Sequence, residues 1–199
     1  MIVRQLKVGP MENYVYILFD GPSGDALVVD SGWETAPVVK AVDQLGARVK
    51  YVVASHGHFD HVSTIDELAG KLGAKVVAHE SSPLRCDLRV RQGSRLDLGG
   101  KWAEVLHTPG HTEDSICLYD GEEVFTGDLL FVGSIGRFEP PEAETMFTSL
   151  HAVLSLPPGT EMYPGHDYGE VPHRTLGEER KNNPYLKYDD LRTFLSLFS

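Results

Sequence analysis

His56, His58, Asp60 and His61 fall within the run Ser55-His56-Gly57-His58-Phe59-Asp60-His61. Imidazole nitrogens paired with carboxylate oxygens suit zinc, and also iron or manganese, better than calcium or magnesium, which prefer oxygen cages. The spacing is too tight for one face of a helix, whereas a loop leaving a strand end can turn all four side chains towards one point. Three later stretches carry further donors: His111 in Thr108-Pro109-Gly110-His111-Thr112, Asp128 in Thr126-Gly127-Asp128, and His166 in Pro164-Gly165-His166. Each follows an apolar, strand-like run. Two cations ~3.5–4 Å apart can lower the pKa of a shared water from ~15.7 towards ~7, polarise a carbonyl and take up the oxyanion that forms. His79, His107, His151 and His173 lie outside this pattern and read as ordinary histidines. Cys86 and Cys117 fit no metal or redox spacing and read as small buried hydrophobes.

The elements that must place these donors are readable from periodicity. Ile2 to Val8, Asn13 to Asp20 and Asp25 to Asp30 read as strands separated by Gly/Pro turns. Asp30, ending an apolar run beside Ser31-Gly32, either lines a site or caps the helix expected over Thr35 to Leu45. Arg48 to Ala54 is a strand running into the histidine loop, and Ser63 to Leu72 a helix after it, with Thr64 and Glu67 spaced as a capping box. Lys75 to Ala78 is a short strand and Ser81 to Gln92 reads as irregular. Arg95 to Leu98, Trp102 to His107, Ser115 to Tyr119 and Glu123 to Thr126 read as four strands. Glu142 to Leu156 is a helix whose Met146, Phe147, Leu150, Val153 and Leu154 face a core. Glu161 to Tyr163 is a last strand, followed by short helices over Thr175 to Asn182 and Asp189 to Phe198. The repeated order of strands, helix and histidine loop indicates two sheets face to face with helices outside, in one domain over residues 1–199.

The 18 Lys and Arg against 29 Asp and Glu give a net charge of −11, which repels phosphate backbones and argues against nucleic acid as a partner. No apolar run exceeds strand length, so no membrane span is expected. Nor does the start resemble a signal peptide. With two unpaired cysteines, the cytoplasm is the expected location.

His-x-His-x-Asp-His at residues 56–61, then His111, Asp128 and His166, resembles the metallo-β-lactamase superfamily. The resemblance implies an αββα sandwich, a four-layer α/β fold of two mixed sheets, with a two-metal centre at one edge. It implies that His56, His58 and His111 hold one metal, that Asp60, His61 and His166 hold the other, and that Asp128 bridges them. His58 argues against the diiron oxygen-reducing branch, which carries glutamate there. His61 argues against the commonest secreted β-lactamases, which carry arginine there and use a cysteine ligand.

The stretch Thr126-Gly127-Asp128-Leu129-Leu130-Phe131-Val132-Gly133-Ser134-Ile135-Gly136-Arg137 resembles the glyoxalase II and persulfide dioxygenase branch. That likeness implies two divalent ions, zinc first with iron or manganese possible, and catalytic roles for Asp60 and Asp128. It also implies contacts from Arg137 and Tyr168 to a small-molecule thioester or thiol-derived substrate. The expected reaction is thioester hydrolysis by a hydroxide held at the metals. The alternatives are a mononuclear iron persulfide dioxygenase using His56, His111 and Asp128, and hydrolysis of a lactone or other ester. Full-length glyoxalase II has an added helical domain that binds glutathione, and this chain has only two short helices after His166.

Overall fold

Asn13–Asp20 is apolar at nearly every position, the pattern of a strand covered on both faces. In the computed structural model of the protein, which describes residues 1–198, it is the second strand of a six-stranded sheet. Strands β1 (Ile2–Val8), β2 (Asn13–Asp20), β3 (Asp25–Val29), β4 (Arg48–Val53), β5 (Lys75–His79) and β6 (Leu88–Val90) lie in that order. The first three pair antiparallel, and β3 to β6 pair parallel. The second sheet is built from β7 (Arg95–Asp97), β8 (Trp102–His107), β9 (Ile116–Tyr119), β10 (Glu123–Gly127), β13 (Glu161–Pro164) and β14 (Arg174–Thr175). Its order is β14-β13-β10-β9-β8-β7, with β10 and β13 the parallel pair. Strands β11 (Leu130–Phe131) and β12 (Ser134–Ile135) form a separate small hairpin.

The layers follow from which side chains alternate inward. Tyr16, Leu18, Leu27, Val53 and Val77 from the first sheet meet Leu96, Val105, Leu118 and Phe125 from the second in one buried cluster. On the outer face of the first sheet, Ile17, Val28 and Val52 pack against helices α1 (Thr35–Leu45) and α3 (Ile65–Leu72) through Val38, Val42 and Leu68. On the outer face of the second, Cys117, Val124 and Met162 pack against Met146, Leu150 and Val153 of helix α4 (Ala143–Leu154). Leu176 of helix α5 (Leu176–Asn182) and Phe194 of helix α6 (Leu191–Ser196) join that layer. The order helix, sheet, sheet, helix is the expected αββα sandwich.

Register carries the donors to one edge. Val29 stands opposite Val53 in the parallel β3–β4 pair, so Asp30 and the histidine loop leave the first sheet side by side. Gly127 stands opposite Pro164 in the parallel β10–β13 pair, so Asp128 and His166 leave the second sheet side by side. Tyr14 N donates to Gly165 O at 2.8 Å and Asp167 N to Glu12 O at 2.9 Å, tying the His166 loop to the start of β2 in the opposite sheet.

Four local expectations need correction. The histidine segment is a loop only as far as His58, because Phe59–Val62 forms a helical turn, α2, that carries Asp60 and His61. The stretch Ser81 to Gln92 contains β6, a three-residue edge strand too short and polar to show a period. The hairpin of β11 and β12 and the edge strand β14, each two residues long per strand, were equally unreadable. Thr64 does not cap α3 through its side chain. Its hydroxyl instead lies 3.3 and 3.2 Å from the carbonyls of Ser31 and Gly32, while Glu67 accepts from Thr35 and Lys71. The same Thr-x-x-Glu spacing at Thr175 and Glu178, with no such competitors, does close a capping box.

Candidate metal centre

Three overlapping groups of donor atoms lie within 4.8 Å of one another: His56, His58 and His111; His56, His61 and Asp128; and Asp60, His61 and His166. His111 Nε2 stands 3.0 Å from His58 Nδ1, and His61 Nε2 stands 3.1 Å from His166 Nε2. Asp128 touches members of both outer groups, with Oδ1 3.3 Å from His61 Nε2 and Oδ2 3.6 and 3.4 Å from His111 and His166 Nε2. Asp60 Oδ2 lies 3.5 Å from His61 Nε2 and 3.4 Å from His166 Nε2. All seven donors expected from the sequence therefore converge.

A second ring of partners orients them. His61 Nδ1 meets Asp30 Oδ2 at 2.7 Å, His111 Nδ1 meets the Arg137 carbonyl at 2.6 Å, and His166 Nδ1 meets the Met11 carbonyl at 2.8 Å. Each acceptor calls for a proton on Nδ1 and so turns the Nε2 lone pair inward. His56 Nδ1 lies 3.1 Å from Ser55 Oγ, and Asn13 Nδ2 donates to Asp60 Oδ2 at 2.8 Å while Asn13 Oδ1 accepts from Trp33 Nε1 at 2.9 Å. Asp30 is the centre of this ring. Only 2% exposed, it also accepts from Ser55 N at 2.7 Å and Ser55 Oγ at 2.8 Å, and it adopts φ 62°, a left-handed conformation that aspartate tolerates better than most side chains. Of the two roles open to it from sequence, it takes the site role; the residue before α1 is Glu34.

The arrangement fits cations on its own chemistry. With both Nδ1 atoms donating outward, neutral His61 and His166 would point two lone pairs at each other across 3.1 Å, so a positive charge must lie between them. Without a metal that charge is a proton. Burial alone would lower the His61 pKa, but Asp30 and then Asp128 outweigh it and hold the pKa well above the ordinary value. Burial would raise the Asp128 pKa, yet contact with His166 and His61 holds it well below the usual carboxylate range. His56 is driven the other way, by burial first and then by His61, and is neutral. His56 Nε2 is buried with no hydrogen-bond partner, and Asp128 Oδ1, 3.3 Å from His61 Nε2, makes no well-aligned hydrogen bond, so both are donor atoms that a metal ion would satisfy. Asp30, Asp60 and Asp128 supply negative charge for a pair of dications. Gly165 keeps the cradle open, because a Cβ there would stand 2.4 Å from Asp128 Oδ1.

The sequence profile of the metallo-beta-lactamase superfamily matches residues 8–83 and 79–166. The chain belongs to that superfamily. It is 33% identical over 192 residues to PksB of Bacillus subtilis, a probable polyketide biosynthesis zinc-dependent hydrolase, covering 92% of this chain and 85% of the relative. It is equally 33% identical over 182 residues to a hydroxyacylglutathione hydrolase of Cereibacter sphaeroides, covering 88% and 70%. To the mitochondrial persulfide dioxygenase ETHE1 of Bos taurus it is 33% identical over 193 residues, covering 94% and 76%. Among solved structures it resembles ETHE1 from Myxococcus xanthus, with TM-score 0.91, 32% identity, and 99% and 89% of the two chains covered. It also resembles TTHA1623 in a di-iron-bound form, with TM-score 0.79, 32% identity, and 92% and 100% covered.

Within this metallo-beta-lactamase frame the two expected substrate residues differ in placement. Tyr168 stacks on His166 with centroids 4.5 Å apart and rings 10° from parallel, and is 53% exposed. The Arg137 guanidinium is 87% exposed and pairs with Glu139 at 3.2 Å, while its backbone carbonyl is what holds His111. Sequence reasoning missed Ser55, Asn13 and that carbonyl. Ser55 adjoins the histidine motif, but nothing in the sequence ties Asn13 to Asp60 across the fold. The remaining histidines have ordinary roles: His79 and His107 stack at 3.8 Å, His151 Nδ1 meets the Phe147 carbonyl, and His173 meets Glu161. Cys117 is fully buried, with its thiol pushed up to about 12 by burial, and Cys86 packs at the edge of the first outer core. No helix among the described residues is long and apolar enough to cross a membrane.

Proposed function

We propose that the protein is a metal-dependent thioester hydrolase of the glyoxalase II type, acting on a small-molecule thioester in the cytoplasm. The observation that carries this reading is the orientation of both halves of the centre. Asp60, His61 and His166 are each held inward by a dedicated partner, Asn13, Asp30 and the Met11 carbonyl. A single-metal enzyme using His56, His111 and Asp128 would leave that second group without a task. His56, His58 and His111 would hold one cation and Asp60, His61 and His166 the other, with Asp128 facing both. Bound cations would supply Lewis acidity, lowering the pKa of water towards ~7 and polarising the substrate carbonyl. Zinc suits this donor set, and iron or manganese can replace it.

The chain's own groups then do the positioning. Asp128, ionised, and Asp60, fixed by Asn13, orient the attacking water towards the carbonyl carbon. Addition of water and cleavage of the C–S bond give a carboxylic acid and a thiol, the proton released by the water ending on the sulfur. The stacked ring of Tyr168 forms one wall for the bound ester, and the edge of the Arg137 segment forms another. The second reading, a mononuclear iron persulfide dioxygenase, is favoured by the similarity to ETHE1 in sequence and structure.

The test is metal content per chain on protein purified without added metal, run beside hydrolysis of S-acyl thiols and oxygen uptake on glutathione persulfide. About two metals with thioester turnover is the expected result. One iron with persulfide-dependent oxygen consumption would replace the hydrolase by the dioxygenase.

A further inference from the structure

Beside the metal centre lies a cavity of about 420 Å³, within the size range of small-ligand sites. Its walls include Ile135, Phe138, Ala143, Tyr185, Leu195 and Phe198. The inner wall is the segment Gly136-Arg137, which touches the centre directly. The Arg137 carbonyl holds His111 Nδ1 at 2.6 Å, and Gly136 packs so closely on the Asp128 carbonyl that a Cβ would stand 1.6 Å from it. The outer wall comes from α6 and the residues after it. Phe198 sits 4.8 Å from Phe138 and 5.8 Å from Tyr185 by ring centroids, yet Leu195 and Phe198 remain 40% and 45% exposed. Exposed apolar walls of this kind, next to reactive groups, call for an apolar ligand part.

Charge at the mouth points the same way. Arg137 is the cation lining this cavity, and the Glu139 carboxylate, 3.2 Å from its guanidinium, competes with any anionic ligand part for it. Lys7, on the strand that leads to Met11, is paired with Glu12 at 2.8 Å and Asp167 at 2.9 Å. Met11 and Phe59, on the segments that hold His166 and Asp60, are exposed apolar side chains, at 45% and 68%. A tripeptide thiol bearing two carboxylates would meet paired cations in a chain of net charge −11.

Building on the thioesterase reading above, we propose that the cavity between Gly136-Arg137 and α6 binds the acyl chain of the substrate, and that the protein prefers thioesters of medium-chain apolar acids over those of small hydroxy acids. The carbonyl lies at the metal centre, the acyl chain crosses the outer edge of Gly136-Arg137 to seat against Phe138 and Leu195, and the thiol leaves on the Tyr168 side.

The experiment uses acetyl, hexanoyl and decanoyl thioesters of one small neutral thiol, together with S-lactoylglutathione, on the metal-loaded protein. kcat/KM should rise about fourfold per added methylene until the cavity fills. Leu195→Asp and Phe198→Asp, at positions 40% and 45% exposed, should lower the decanoyl-to-acetyl ratio about tenfold or more. A flat chain-length series, a stronger response to S-lactoylglutathione, or a ratio untouched by both variants would overturn the inference while leaving the hydrolase intact. Faster cleavage of the acetyl ester of decanethiol than of the decanoyl ester would refute the acyl assignment. Binding of the ketone analogue, with CH2 in place of the thioester sulfur, is measured separately by titration calorimetry. If no thioester turns over, the hydrolase reading fails. The cavity assignment then stands only if the analogue binds wild type with a negative heat-capacity change and binds Leu195→Asp at least tenfold more weakly.

Discussion

Replacing Asp30 by asparagine changes one heavy atom and should weaken half of the metal centre. Asp30 accepts from three donors, Ser55 N at 2.7 Å, Ser55 Oγ at 2.8 Å and His61 Nδ1 at 2.7 Å. Asparagine fits the same space and tolerates the φ of 62°, so backbone strain is not the cause of any effect. Its amide has one acceptor oxygen. If that oxygen serves Ser55 N, the NH2 faces His61 Nδ1–H, and the ring must move its proton to Nε2, where it blocks the lone pair aimed at the centre. If the amide is turned round, the NH2 faces the backbone N–H of Ser55. Either way a buried donor is opposed or unpaired, at a cost of about 1–3 kcal/mol in stability. Loss of an orienting partner on a ligand histidine typically weakens metal binding by about 10–100-fold, or about 1.4–2.8 kcal/mol. The assay is competition of metal-free protein with a chromophoric chelator, with the His61 tautomer followed by nitrogen-15 NMR. One metal should bind near its wild-type strength through His56, His58 and His111, and the other should weaken. Two metals bound at wild-type affinity, with His61 still protonated on Nδ1, would refute the argument that Asp30 sets this ligand.

Gly136→Ala forces a Cβ into the Asp128 carbonyl, so a loss of at least about 1–3 kcal/mol is expected, read as a lower melting temperature. The Glu123 carboxyl is raised to about 7, by burial first and then by Asp120. A raised carboxyl contributes stability that is present below its unfolded pKa near 4.5 and lost as pH climbs through about 7. Glu123→Gln should therefore raise the melting temperature relative to wild type at pH 8 and give no such gain at pH 5. Metal binds the folded centre and not the unfolded chain, so free zinc at about 100 times its dissociation constant should add about 2.7 kcal/mol to stability. Chelation should lower the melting temperature accordingly, and an unchanged melting curve would count against a bound ion.

The donors were readable from the chain because metal chemistry restricts residue type and local spacing. The seven ligand candidates, the strands before their loops and the apolar stripe of α4 all rest on neighbours within a few positions. Short elements were not readable: β6, β11, β12 and β14 have too few residues to display a period, and pairing partners far away in sequence decide them. The two Thr-x-x-Glu runs make the limit plain. Alike in sequence, they part because the carbonyls of Ser31 and Gly32 reach Thr64 and nothing comparable reaches Thr175.

The division at the site is similar. Residue types and order within the chain already determined that an imidazole and carboxylate centre would form, and on which loops. Only the tertiary structure decided how each ligand is aimed, because Asp30, Asn13 and the carbonyls of Met11 and Arg137 arrive from other strands and loops. It also decided that Arg137 meets the centre through its backbone carbonyl while its guanidinium is exposed beside Glu139. A side chain's chemistry travels with the sequence, but its direction is set by hydrogen bonds to residues distant in the chain, and those exist only once the strands have paired and, for His166 and Met11, the two sheets have met.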